Sequence, residues 1–119
     1  MAAKDELGRR GERIAEEHLI RSGIRVVDRN WRCSIGEIDL VARDGDDVVF
    51  VEVKTRRGIG YGHPLEAITP VKLARLRRLA GAWCAAHPEV RGAVRIDAIG
   101  IVAARDTAPV VEHLQGVYR

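Results

Sequence analysis

A chain of 119 residues, 46% hydrophobic and 31% charged, can bury a core without disulfide or metal staples and has the balance of an ordinary globular protein. A net charge of +3 points only weakly to an anionic partner. No apolar run approaches the roughly 20 residues of a membrane span, and "MAAKDELGRRGERIAEEHL" lacks the apolar core of a secretory signal. A single domain over residues 1–119, in the cytoplasm and not in a membrane, is expected. Cys33 and Cys84 lack metal-ligand spacing and read as reduced thiols.

The spacing predicts a first helix from Lys4 to Ser22, stopped by Gly23, with Gly8, Gly11, Ile14, Ala15 and Leu19 on its inward stripe. "IRVVD" (24–28) predicts a strand. Two more strands, 37–43 and 47–54, flank "DGDD", a hairpin turn. The loop "RRGIGYGH" leads to a short helical turn around Pro64 to Ile68. Thr69 then caps a second helix with Pro70 at its first position. That helix runs to about Ala86, with Leu73, Leu76, Leu79, Ala80 and Trp83 on its apolar side. Strands at 93–103 and 109–114 complete the chain. The order predicts an α/β fold, a mixed sheet with helices packed on its faces.

The hairpin poses the functional question. Strand alternation puts Val49, Val51 and Val53 on one face and Val48, Phe50, Glu52 and Lys54 on the other. Both faces are apolar, so this strand is expected to be central and covered on both sides. An ionised carboxylate there costs several kcal/mol unless something compensates it. Asp39, between Ile38 and Leu40, raises the same objection. If the loop is Asp44 to Asp47, Arg43 faces Val48 and Asp39 falls opposite Glu52. If the loop is Asp44-Gly45, Asp39 faces Phe50 and lies diagonal to Glu52. A three-residue loop without a bulge separates the two acids onto opposite faces. Two close carboxylates repel unless a cation lies between them. Lys54 supplies one charge, and a hard divalent ion suits an oxygen-only site, since Mg2+ takes one or two carboxylates with waters and phosphate oxygens. The alternative is a charge cluster that merely solvates a hairpin rim.

"GEIDLVA", a hairpin, then "FVEVKTR" resembles the D-x(n)-E-x-K signature of restriction-endonuclease-like nucleases, nearest to the Holliday-junction-resolvase-like branch. Nearly the whole chain resembles the small bacterial YraN-like family, through "GRRGERIAEEHL", "DRNWR", "GEIDLVARDGDDVVFVEVKTR", "RIDAIGI" and "VEHLQGVYR". The resemblance implies a restriction-endonuclease-like core and Mg2+ (or Mn2+) held by Asp39, Glu52 and the Val53 carbonyl. It makes Lys54 the motif lysine and Glu12 an added acid from the first helix. By spacing alone, Glu12 borders the inward stripe, and a glutamate favoured by the helix dipole is the other reading. The proline that often precedes the motif aspartate is absent, and Glu37 on Asp39's side is either a substitute ligand or an arginine partner. Resolvase-like enzymes also work as homodimers, although nothing in this sequence marks a dimer surface.

Around these residues, Lys72 and Arg75 open a helix that holds four basic residues and no acids between Pro70 and Pro88. With Arg56 and Arg57 they are expected to contact phosphates of a nucleic acid, DNA ahead of RNA; solvated surface charge is the other reading. His63 is a candidate acid or base, or an ordinary surface histidine. Trp31 reads as core cover ahead of a base-stacking platform, and Trp83 and Cys84 as core. Asp97 is expected either to pair with an arginine or to lie behind the acid site. A metal-dependent phosphodiester hydrolase is thus expected. The rivals are a nucleic-acid binder that does not cut and a basic adaptor for an acidic protein.

Overall fold

The computed structural model describes residues 5–60 and 62–117. Its elements are helix α1 (Glu6–Arg21), strands β1 (Arg25–Cys33), β2 (Gly36–Asp44) and β3 (Asp47–Arg56), helix α2 (Pro70–Ala86), and strands β4 (Val94–Val102) and β5 (Val110–Leu114). A 3-10 turn, Pro64–Ala67, precedes α2. The expected first residue of α1, Lys4, lies outside the described residues. Asp5 caps that helix, its carboxylate accepting from the Gly8 N–H at 2.7 Å. Thr69 caps α2 through the Lys72 N–H at 3.2 Å.

The strands lie in the order β1-β2-β3-β4-β5. β3 and β4 run parallel, joined by the crossover through α2, and every other pair is antiparallel. β3 is therefore central. Leu40, Ala42, Val49, Val51, Ile99 and Ile101 pack under Ala15 and Leu19 of α1. Val41, Val48, Phe50 and Ile96 pack under Leu73, Leu76, Leu79 and Trp83 of α2. The result is an α/β fold with one helix on each face, compatible with a restriction-endonuclease-like core. α1 approaches the sheet closely at Gly11, where an added Cβ would sit 1.8 Å from Thr55 Oγ1.

β1 runs five residues past the strand expected to end at Asp28, through "RNWRC" to Cys33. It is an edge strand, half exposed, with a register shift between Val26 and Asp28. That irregularity breaks the clean alternation that announces a strand in sequence.

Asp97, fully buried in β4, pairs with an arginine of its own strand. Arg95 reaches both carboxylate oxygens, at 2.9 and 3.1 Å. His113 Nε2–H donates to Oδ2 at 2.7 Å, and the Gly116 N–H to Oδ1 at 3.0 Å. With that proton committed, His113 Nδ1 is left to accept from His18 Nε2–H, 3.1 Å away on α1. Arg95 also grips Asp44 at 2.8 Å, so one guanidinium ties the hairpin turn to β4. Burial pushes the Asp97 carboxyl up, but the bonds from His113, Arg95 and Gly116 outweigh it and leave it below its ordinary range. Burial, His113 and Arg21 hold His18 below its usual value as well.

Both shifts act in one direction. A folded-state pKa below the unfolded one gives stability that is complete above the unfolded value and lost as pH falls through the folded one. Stability should therefore decline first below about pH 6.5, as His18 charges, and again below about pH 4, as Asp97 protonates. Asp97→Asn leaves Arg95 without its buried partner and should cost about 3–5 kcal/mol at pH 7. The gap to wild type should narrow below pH 4, as read by urea unfolding across pH 3 to 7.

Candidate functional site

The hairpin register decides what the acids can do. Asp44 pairs with Asp47 around a two-residue turn in which Gly45 takes φ +59°, and Arg43 faces Val48. The ladder continues to Leu40 opposite Val51. Arg43 opposite Val48 is the first of the registers considered from the sequence, and its count, carried one step past the last paired residues, would set Asp39 across from Glu52. Hydrogen-bonded rungs alternate along such a ladder, so the next would join Val53 to Ile38. The Val53 N–H instead donates to Asp39 Oδ2 at 2.9 Å. A strand residue's N–H and C=O leave on the same side, so the Val53 carbonyl also heads toward β2.

The ladder changes here because alternation slips. Leu40 packs under α1, and strict alternation would send Ile38 there too, yet Ile38 packs under α2. On β1 the matching fault is at Asn30, which has φ +51°, the left-handed region that asparagine tolerates better than most residues. Two consecutive β1 residues consequently reach α1. Arg29 forms a double bond pair with Glu16, and Asn30 Nδ2 donates to Glu12 Oε1 at 2.9 Å. Trp31 then turns to the α2 cluster as core cover. Sequence reasoning missed Asn30, for which residue type was the only signal.

Asp39 and Glu52 line one cleft of about 260 Å³ with Glu37, Lys72 and Arg75, over Leu76 and Leu79. Asp39 is 7% exposed, so its carboxylate reaches this cleft from the sheet rather than from bulk solvent. Glu37 pairs with Arg32 at 3.2 Å, which is the arginine-partner reading of that residue. Lys54 and Glu12 line a second cleft, of about 380 Å³, with Val53, Arg56, Gly8 and Thr55. The fold thus gathers four of the expected residues, Asp39, Glu52, Lys72 and Arg75, in one place. It sets Glu12, Val53, Lys54 and Arg56 in another, and Arg57 is exposed and lines neither. Val53 joins the two through its bond to Asp39.

Among the described residues no group of three or more His, Cys, Asp or Glu side chains is placed to hold a metal ion. The carboxylates of Asp39 and Glu52 line the first cleft, Glu37 beside them is paired with Arg32, and the Val53 carbonyl lies at the border with the second. All are hard oxygen donors, which fits Mg2+ or Mn2+ completed by water and phosphate oxygens better than a softer ion. His63 has a structural duty: its Nδ1 accepts from the Leu65 N–H at 3.1 Å, and its Nε2 lies 2.8 Å from Glu112. Trp83 is buried, and burial raises the pKa of Cys84, keeping it a thiol.

Residues 11–101 match the uncharacterised protein family UPF0102. A UPF0102 protein of Clavibacter michiganensis is 58% identical over 94% of this chain and 95% of its own length. Those of Arthrobacter sp. and Streptomyces griseus are 55% and 53% identical, each over 98% of this chain and 99% of their own.

The close seat of α1 at Gly11 holds Glu12 over the second cleft. Gly11→Ala should drive a methyl into the Thr55 side chain and cost about 1–3 kcal/mol in chemical denaturation. Adding Thr55→Ala should recover part of that loss, a non-additivity that a double-mutant cycle reads directly.

Proposed function

The chain belongs to the UPF0102 family, and from its paired clefts we propose that it is a metal-dependent nuclease that hydrolyses phosphodiester bonds, in DNA ahead of RNA. The observation that carries this is Asp39 and Glu52, from adjoining strands, opening into one cleft beside Lys72 and Arg75. A buried acid with a half-buried one beside it, next to a cationic helix face, is an expensive way to solvate a surface and an economical way to meet a metal-bound phosphate.

Asp39, Glu52 and the Val53 carbonyl would hold Mg2+ or Mn2+, which when bound polarises the phosphate and acidifies its water. Asp39 Oδ2 accepts from the Val53 N–H, which locks the direction of the carboxylate. Lys72 and Arg75 draw the phosphate backbone in and hold it, giving affinity without reading sequence. Lys54 follows Glu52 by two residues on β3 and lines the neighbouring cleft with Glu12. Its ammonium orients the attacking water or offsets charge growing at the phosphate. Glu12, fixed by Asn30, adds a carboxylate directly or through water. Arg56 and Arg57, at the end of β3, grip the strand beyond the reacting bond.

The test is cleavage of duplex, branched and single-stranded DNA, and of RNA, with Mg2+ or Mn2+. Asp39→Asn and Glu52→Gln should each slow cleavage by a hundredfold or more, on the order of removing one electrostatic stabiliser. Both should lose the heat of Mn2+ binding in calorimetry. Lys72→Ala or Arg75→Ala should weaken binding of every sequence alike and reduce the salt slope by about one. Cleavage that persists unchanged in Asp39→Asn ends the proposal. Tight binding with no cleavage in any metal leaves a binder on the same fold.

A further inference from the structure

We propose that the cleft at the carboxyl-terminal end of α2 is a phosphate-binding site, distinct from the acid cleft. It goes beyond the nuclease reading and does not need it. The cavity, about 480 Å³, lies between β1, β2, the end of α2 and the loop before β4. Its first mark is a like-charge pair: Arg25 of β1 and Arg43 of β2 are direct cross-strand partners. Such a pair is destabilising by itself, and neither arginine joins an ion pair among the described residues.

The second mark is the rigidity around them. Arg43 Nη1 donates to the Arg91 carbonyl at 2.6 Å, and Arg91 lines the same cleft. The next residue, Gly92, has φ +141°, and a Cβ there would lie 2.0 Å from the Asp46 carbonyl oxygen. The Val48 N–H donates to the Ala93 carbonyl at 2.7 Å. The loop is thus locked to the hairpin turn, and the third arginine is carried on a fixed backbone.

Asp28, one of the two acids lining this cleft, is already engaged. Its Oδ1 accepts from the Arg29 N–H at 2.9 Å and its Oδ2 from Trp83 Nε1–H at 2.8 Å. Glu89, the other acid of the lining, is exposed. His87 stacks on Trp83 at 4.0 Å and is held flat there by its Nδ1–H, which donates to the Trp83 carbonyl at 2.7 Å. Three guanidinium groups from three elements, against a flat imidazole wall, suit a phosphate, which arginine forks bind in two-pronged fashion. From Arg75 to His87 the helix rises about 18 Å, so one strand can reach both clefts.

The phosphate belongs either to a nucleic-acid strand or to a free nucleotide, and the experiment separates the two. Tryptophan fluorescence of the full chain is followed in EDTA, with Trp83 forming the wall of the site. The additions are a short single-stranded DNA, a 5′-mononucleotide and the matching nucleoside. The phosphate-bearing probes should perturb the emission and the nucleoside should not. Response to the DNA alone assigns the site to a strand, and response to the mononucleotide assigns it to free nucleotides. The double variant Arg25→Gln/Arg43→Gln should bind at least about tenfold more weakly. Its thermal melt checks that the variant is folded, and Arg77→Gln, exposed on α2 and lining neither cleft, should bind as wild type does. Equal response to the nucleoside, unchanged binding in the double variant, or DNA binding lost with Lys72→Ala alone would each overturn the assignment. Because no metal or cleavage is involved, loss of binding in the double variant is distinguishable from failure of the nuclease reading.

Discussion

A single hydrogen bond, from the Val53 N–H to Asp39 Oδ2, stands where the β2–β3 ladder would have placed a rung to Ile38. Replacing a backbone acceptor by a carboxylate keeps the buried N–H satisfied, which a central strand requires. It also does what a rung cannot. It turns an acid into the plane between two strands and fixes one of its oxygens, and it directs the Val53 carbonyl toward the same gap. The slip at Ile38 and the left-handed Asn30 are the backbone's accommodation to this exchange. Asn30 in turn holds Glu12, so the first helix is coupled to the same irregularity.

The sheet divides the charged residues between its two helices. α2 brings Lys72 and Arg75 over Asp39 and Glu52, while α1, seated at Gly11 against Thr55, brings Glu12 over Lys54 and Arg56. The two clefts meet at the end of β3 through Val53. A cation of α2 and an acid of α1 therefore flank one short strand end from opposite faces. Only a central strand covered by both helices can be approached in that way.

The parts of this arrangement that depend on local spacing were readable from residues alone. "DGDD" marked the turn, and two of the three registers counted outward from it brought Asp39 near Glu52, the one with Arg43 facing Val48 being the one that forms; Thr69-Pro70 marked the start of α2. What depended on distant partners was not readable. Asp97's bond to His113, and that of His113 to His18, join β4, β5 and α1. The length of β1 and the facing of Arg25 with Arg43 sit behind a register shift at Val26 to Asp28 that no count of alternation can cross. The division of Lys54 from Glu52 into neighbouring clefts depends on how the helices close over the strand, which spacing along β3 does not encode.

Two kinds of buried acid share this sheet, and their surroundings set them apart. Asp97 accepts four bonds, two from Arg95 and one each from His113 and Gly116, so its oxygens are engaged from within the protein. Its charge is thereby neutralised, and its effect is to tie β4 to β5 and to the hairpin. Asp39 lies one strand beyond β3 from it, equally surrounded by apolar side chains, but its carboxylate and that of Glu52 border open volume facing Lys72 and Arg75. An acid that the interior encloses with donors stabilises a fold. An acid that the interior desolvates and then turns toward a cationic opening keeps its oxygens directed at whatever enters. The same residue type in the same kind of strand thus yields a fastener in one place and a candidate ligand in the other, and the difference lies in where the donors come from.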